Sequence, residues 1–514
     1  MTGAEALVAT LVNGGVEVCF ANPGTSEMHI VHALDRLAKV RCVLGLFEGV
    51  VTGAADGYAR MAGKPACTLL HLAPGLSNGL ANLHNASRAH VPLLNLVGQH
   101  ATQHLRFASP LKGDIEAVAG LYSKWLRTSS APEQIGQDAA AAIVAARTAP
   151  EGTATLIVPA DVAWSDRGST VALPPIPQSP LPTAESVEHA ARILRSDSPA
   201  ALLLSGNGLY SEGLIAAGRI AAGTGARLLT PYGFTRIERG AGRAVVDRIP
   251  YDPEQAADFL KDLRHLILVG ADPPVAHFAH RGKASELAPR TCELFALATP
   301  TEDCAGALRA LAEALSLHST KPRCETASRP PLPSGSITLP RLANAIAALL
   351  PEGAIVADES MTSGRGIMAA ARGAPRHDWL ANTGGSIGFA LPLAVGAAIA
   401  CLDRRVLSLT ADGSGMYTLQ ALWTIAREEL NVTTVIFANR AYAILYAEFD
   451  TINVGQPGEM TRTLFDLIHP ELDWVMLSRG LGVPAFRVDS MDEFCRVLRK
   501  GFEEPGPKLI EVVL

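Results

Sequence analysis

Charge is scarce in this chain: Asp, Glu, Lys and Arg make up 18% of its 514 residues, against 48% hydrophobic residues. The lysines and arginines are scattered and the formal net charge is −6, so neither a nucleic-acid backbone nor an anionic membrane surface is an expected partner. Eight cysteines occur without a C-x-x-C or any paired metal-ligand spacing, which predicts free thiols. Met1–Leu11 lacks a charged-plus-apolar leader, and with the unpaired cysteines this predicts a reducing, cytoplasmic location. One uncharged run of 19 residues, Gly384–Leu402, has the length of a membrane span. Gly384, Gly385, Ser386 and Pro392 interrupt it, and it runs directly into an apolar strand, so it predicts a buried helix instead.

What is present is enough apolar residue for several cores, and the length predicts about three domains. Two proline-rich stretches, Leu173–Pro182 and roughly His318–Ser336, read as linkers. They leave three blocks, 1–172, 183–318 and 337–514, in each of which strands alternate with helices, so three α/β domains with parallel sheets are expected. Predicted strands include Val16–Ala21, Cys67–His71, Leu93–Val97 and Thr155–Val158 in the first block. Ala200–Ser205 and His265–Val269 follow in the second, and Ala354–Ala357 and Leu509–Val513 in the third. Gly206-Asn207-Gly208 follows a strand, but no complete G-x-G-x-x-G is present, so dinucleotide binding is not expected there.

The most informative stretch is 405–440. Arg405–Thr410 and Val432–Phe437 are β-branched strands, and Tyr417–Leu430 reads as the helix that connects them. Asp412 and Asn439 then fall at the carboxyl ends of neighbouring parallel strands, where open α/β sheets bind ligands. Gly413 and Gly415 allow the chain to wrap a phosphate, with Ser414 between them, and the oxygen donors of Asp412 and Asn439 suit a hard cation such as Mg²⁺ better than zinc.

An Asp-Gly-Ser turn followed by an Asn 27 residues after the Asp resembles the metal and diphosphate motif of thiamine-diphosphate-dependent enzymes. Ala411 and Ala438 depart from that motif at positions that supply no ligand in the family. The resemblance implies Mg²⁺ held by Asp412, Asn439 and the backbone carbonyl of Ala441. It also implies a distant second half, and 40–60, VRCVLGLFEGVVTGAADGYAR, is similar to the segment carrying the family's activating glutamate, here Glu48. A carboxyl group there promotes the proton shift in the aminopyrimidine ring that activates the cofactor. The first, central and last blocks would then be pyrimidine-binding, linking and diphosphate-binding domains.

Within the family the chain resembles benzoylformate decarboxylase and short proteins similar to the acetolactate synthase large subunit. Asn22-Pro23-Gly24-Thr25 is similar to the decarboxylase loop that contacts the substrate carboxylate, which implies that role for Thr25, or for Ser26 after a small loop shift. His71 matches an active-site histidine, a residue type able to exchange protons near neutral pH. A second histidine is implied in Pro273–His280, as either His277 or His280. Ile387 matches the residue that props the cofactor in its bent form, the Gly385 carbonyl would accept from the aminopyrimidine, and Ser360, Thr362 and Ser363 would reach the diphosphate. The substrate-facing helix would be Tyr442–Phe449, with Glu448 replacing an aromatic residue.

The resemblance thus implies an enzyme that decarboxylates a 2-oxo acid, with carboligation also open. Acetolactate synthase-like condensation of two 2-oxo acids is the alternative, and a catalytically silent, cofactor-binding regulatory protein is a second one. FAD is not expected, because Gly49 follows the glutamate where the biosynthetic synthases carry glutamine. The family's architecture implies an active site at a dimer interface, with assembly to a tetramer.

Overall fold

Three separate sheets organise the chain, and the computed structural model describes all of residues 1–514. The first sheet has six strands in the order Arg41–Leu44, Val18–Asn22, Ala66–Leu70, Leu93–Gln99, Thr153–Pro159 and Trp125–Thr128, all parallel. The central sheet has five, in the order Asp247–Arg248, Arg227–Thr230, Ala200–Leu204, His265–Val269 and Glu293–Ala298, also parallel. The third runs Ala485–Val488, Lys508–Val513, Val432–Ala438, Val406–Ala411, Ala354–Glu359, His377–Ala381 and Ile237–Arg239. The predicted α/β class with parallel sheets is therefore present. Near-continuous apolar strands such as Leu93–Val97 and Val432–Ala438 are buried on both faces, as helix-covered parallel sheets require.

One strand breaks the division into three. Ile237–Arg239 comes from the middle of the chain yet pairs antiparallel with His377–Ala381 at the edge of the third sheet. Arg236 reinforces the junction through a 2.7 Å pair with Asp378, which also meets Arg404 at 2.6 Å. One continuous apolar core accordingly contains Leu202, Phe234 and Leu308 together with Val356, Trp379 and Phe437.

The first and third sheets meet through two helices. Glu48–Ala62 is buried along almost its whole length and packs on Ala390–Ala400, the helix formed within the long uncharged run. Contact is close because glycines face backbone: a Cβ at Gly57 would strike the Leu393 carbonyl, and one at Gly396 the Ala54 carbonyl. Arg60 crosses this seam fully buried, pairing with Asp56 at 2.7 and 2.8 Å and donating to the carbonyls of Thr235 (3.0 Å) and Ala381 (2.8 Å). Ala390–Ala400 spans 11 residues, and no helix is long and apolar enough to cross a membrane.

The connection between Val406–Ala411 and Val432–Ala438 differs from the single helix expected over Tyr417–Leu430. The chain makes a turn of helix at Asp412–Gly415 and then a second helix only over Ala421–Arg427. Gly413 and Gly415 are poor helix formers, and Thr418 is diverted from the helix because its hydroxyl donates to the Gly388 carbonyl at 2.9 Å. That diversion ties the Asp412 turn to the loop that precedes Ala390–Ala400.

Candidate active site

Phe47 is extended and Glu48 opens the buried helix, so its side chain leaves the strand end where the first sheet meets Leu72–Arg88. Glu48 is 8% exposed; its Oε2 accepts from Asn78 Nδ2 at 3.0 Å and its Oε1 has no partner within the chain. Gly75 makes the space: a Cβ there would lie 3.2 Å from Glu48 Oε1 and 3.3 Å from His71 Cβ. Glu48 and His71 therefore flank one point, although 23 residues of sequence separate them (71 − 48).

His71 is fixed from the other side. Its Nδ1 lies 2.7 Å from Oε2 of Glu27, a fully buried carboxylate that also accepts from Gly24 N at 2.7 Å and, through Oε1, from Ser26 Oγ at 2.9 Å. Ser26 Oγ stands 3.4 Å from the same His71 nitrogen, whereas Thr25 is exposed and makes no side-chain hydrogen bond to it. Of the two loop hydroxyls singled out in sequence, the fold brings Ser26 to the histidine. Glycine is required at Gly24 and Gly98, because a Cβ at either would enter the His71 ring or the Glu27 carboxylate. Glu27 went unnoticed in sequence, where it reads as a helix-start charge three residues after Gly24.

The helix Leu72–Arg88 contributes a second set that sequence reasoning missed. Asn78, Asn82 and Asn85 recur at helical spacing and share one face. Asn82 donates to the carbonyls of Gly49 (2.9 Å) and Gly388 (3.4 Å), and Asn85 brackets Ser386 through its N–H (3.1 Å) and carbonyl (2.9 Å). His84 Nε2 meets the Gly384 carbonyl at 2.9 Å. The loop 382–388 is thereby held from both sheets, with Gly385 and Gly388 at φ +79° and +83°. Ile387 is half-buried in this loop, and the Gly385 carbonyl accepts no hydrogen bond within the chain.

At the third sheet, Asp412 and Asn439 sit at the ends of adjacent strands in the expected way. Asp412 is 2% exposed; Oδ2 accepts from Arg440 N at 2.7 Å and Oδ1 from Gly413 N at 2.9 Å. No cationic side chain pairs with it, and burial raises its carboxyl above the usual carboxylate range. Asn439 Oδ1 accepts from Ala441 N at 3.1 Å, and its Nδ2 donates to Ser363 Oγ at 3.3 Å, so the segment after Ala354–Glu359 does reach this loop. Ser360 is instead turned back onto Asp358, Thr362 is half-buried, and Ser414 is buried inside the turn. A buried carboxylate without a counter-charge, beside an amide oxygen, is the donor chemistry of a hard divalent cation.

His277 and His280 line one cavity together with Glu448, on the helix Ala443–Ile452 that follows the Asp412–Asn439 loop. Glu448 is thus placed against the central block. Within one chain, no hydrogen bond joins the Glu48–His71 group to the Asp412–Asn439 group.

Comparison with known proteins agrees with this arrangement of two distant half-sites. Residues 1–119 match the N-terminal thiamine pyrophosphate-binding domain of thiamine pyrophosphate enzymes, and residues 363–512 match the C-terminal one. A Mycobacterium tuberculosis protein that carries acetolactate synthase large subunit IlvX as a provisional name is 51% identical over 515 residues, spanning 100% of this chain and 99% of the relative. Benzoylformate decarboxylase of Pseudomonas aeruginosa is 27% identical over 97% of this chain and 96% of its own. Among solved structures, the thiamine diphosphate-dependent 4-hydroxybenzoylformate decarboxylase of Rhodococcus jostii RHA1 shares the fold with a TM-score of 0.87, at 22% identity over 99% of this chain and 98% of that one. With both cofactor-binding halves matched and a relative this similar over its full length, the chain belongs to the thiamine pyrophosphate enzyme family.

Proposed function

We propose that the protein is a thiamine diphosphate- and Mg²⁺-dependent decarboxylase of 2-oxo acids. The carrying observation is the convergence of Glu48 and the Ser26–Glu27–His71 set around Gly75. Thiamine diphosphate supplies the electron sink that takes up the electrons of the breaking carbon–carbon bond as CO₂ leaves. In this reading the unpartnered Glu48 Oε1 holds a proton toward the aminopyrimidine, and the unpartnered Gly385 carbonyl accepts from its amine. Ile387 supports the cofactor's bent form. Asp412, Asn439 and the Ala441 carbonyl hold Mg²⁺, and Gly413, Ser414, Thr362 and Ser363 lie toward the diphosphate. No group of three His, Cys, Asp or Glu side chains is placed to hold a metal ion, so the remaining ligands of Mg²⁺ would be diphosphate and water oxygens.

His71 completes the reaction. Its Nδ1 is held by Glu27, which leaves Nε2 to deliver the proton that replaces CO₂, while Ser26 Oγ receives the substrate carboxylate. A second reading, condensation with another 2-oxo acid in place of that proton, is favoured by the provisional name of the 51% identical relative. The two are separated by incubating the protein, loaded with Mg²⁺ and thiamine diphosphate, with pyruvate, benzoylformate and longer 2-oxo acids, and resolving the products by mass. Aldehyde in proportion to CO₂ is the expected result; a two-substrate adduct would establish condensation, and no CO₂ from any member of the panel would overturn both.

Glu48 and Asp412 lie in groups that share no bond in one chain, which supports a homodimer completing each site across its interface, assembled as a tetramer. A monomer in sedimentation that still turns over would exclude it. A reducing, cytoplasmic setting fits the eight free cysteines.

A further inference from the structure

The cavity at the seam between the central block and the helix Ala443–Ile452 has a chemistry that the reaction itself does not require. Its walls include Glu448 and Thr451 from the helix and Tyr251, Asp252, His277 and His280 from the central block. The charged members, Glu448 and Asp252, are both carboxylates, and neither lysine nor arginine lines the cavity. Asp252 Oδ1 is occupied in capping the helix Pro253–Leu260 through Gln255 N at 2.9 Å. Glu448 is poorly satisfied by comparison: the Tyr251 hydroxyl is 3.4 Å from Oε1, and His280 Nε2 is 3.7 Å from Oε2, beyond hydrogen-bond reach.

Aromatic faces stand beside this carboxylate. Tyr251 lies 4.7 Å from the His277 ring and 5.1 Å from Tyr232, centroid to centroid. Arg248 is stacked over Tyr232 at 3.8 Å and donates to the Tyr232 carbonyl at 2.6 Å, so it is held on that ring, and Arg365, on the Tyr251 side, forms no ion pair with Glu448. Burial and Arg248 together lower His277 below the usual imidazole range, which keeps it neutral at neutral pH. A carboxylate short of hydrogen bonds, beside electron-rich rings and a neutral imidazole, recognises a planar or compact cation. A phenyl ring or aliphatic end placed there would strip water from two carboxylates without replacing its hydrogen bonds.

Position links the cavity to the reaction. The Tyr442 ring lies against Gly413 in the Asp412 turn, where a Cβ at Gly413 would meet it, and the helix begins at the next residue. Glu448 is six residues beyond Tyr442, about 9 Å along the helix axis. We infer that Glu448, with Tyr251 and His277, binds the cationic distal end of the substrate, so that the preferred 2-oxo acid carries a guanidinium or ammonium group on a flexible chain. The inference rests on the decarboxylase reading, since that reading supplies the oxo-acid end.

The test compares kcat/KM for a guanidino-terminated 2-oxo acid and a neutral aliphatic 2-oxo acid of matched chain length, in the wild type, in Glu448→Gln and in Glu448→Lys. The wild type should prefer the guanidino substrate. Glu448→Gln should lose about tenfold or more on that substrate alone, the effect of one charge-assisted hydrogen bond. Glu448→Lys should lose more on it, with its preference, read as the ratio of kcat/KM values, shifting toward a 2-oxo dicarboxylic acid. Preference of the wild type for the neutral substrate, or an equal loss on both substrates in Glu448→Gln, would overturn the inference. A readout independent of turnover separates it from the functional reading: calorimetric titration with an n-alkylguanidinium ion. Binding to the wild type but not to Glu448→Gln, with no 2-oxo acid turned over, would retain the cation site and remove the decarboxylase reading; binding to neither would remove the cation site.

Discussion

Single residues in this protein are set by what they lack as much as by what they touch. Glu48 has one carboxylate oxygen without a partner beside His71. Glu48→Gln should retain the fold, measured by circular dichroism, and lose about 10²–10⁴-fold in kcat, the usual range for a proton-transferring group. Gly98→Ala carries a different prediction, because the added methyl would displace the Glu27 carboxylate that holds His71. Activity should fall by about ten- to a hundredfold, from misplacement of a side chain that the substitution does not itself touch. At Asp412, burial without a counter-charge means that the carboxylate opposes folding of the cofactor-free protein above its unfolded-state pKa. Asp412→Asn should therefore melt higher than wild type at pH 7 without cofactor. It should also lose the stabilisation that Mg²⁺ with thiamine diphosphate confers, about 2.7 kcal/mol at a hundredfold excess over Kd. Equal melting temperatures with and without cofactor in the wild type would count against the Asp412 site. Asp412, Asn439 and Glu48 were legible in the sequence because each follows an apolar strand and because their spacing and neighbours resemble the motifs of thiamine-diphosphate-dependent enzymes. Glu27 was not, because only the return of the chain at His71 and Gly98 gives its charge something to hold.

At the scale of an element, the helix Ala390–Ala400 depends on a buried acid. Glu359, at the end of Ala354–Glu359, accepts from Phe389 N and Ala390 N at 3.0 Å, and burial pushes its carboxyl up to about 7. The folded protein then keeps a proton that the unfolded chain gives up near pH 4.5, so this residue's contribution to stability falls as pH rises from about 4.5 to about 7 and is level above that. The shift corresponds to about 3 kcal/mol. His377, lowered to about 4 by burial, has the opposite slope, losing stability as pH falls from about 6.5 to about 4. Glu359→Gln isolates the first effect: the difference in unfolding free energy between variant and wild type, from denaturant titrations at several pH values, should grow in the variant's favour between pH 5 and 7. A constant difference would refute the assignment. The helix itself was legible as an uncharged run with a glycine-rich start. The broken connection after Asp412 was not, because Thr418 leaves the helical path for a carbonyl 30 residues earlier.

Across the whole molecule, the division into three blocks is looser than the proline-rich linkers imply. The central block gives Ile237–Arg239 to the third sheet and shares a continuous core with it. A fragment of residues 183–318 should therefore lack a cooperative thermal transition, because it exposes Phe234, Ile237 and the edge of that strand. A sharp calorimetric melt of the isolated fragment would show the central block to be self-sufficient. The sequence by itself determined the α/β class, the parallel strands, the glycine-framed Asp412–Asn439 loop and the Glu48 helix, since each is specified by residues within a few turns or strands of one another. Only the tertiary structure decided that Ser26 rather than Thr25 meets His71, that Glu27 holds it, that Asn82 and Asn85 clamp the 382–388 loop, and that His277, His280 and Glu448 share one cavity. These are contacts between segments tens to hundreds of residues apart, and the direction of a side chain at such a contact is fixed by packing that no local pattern encodes.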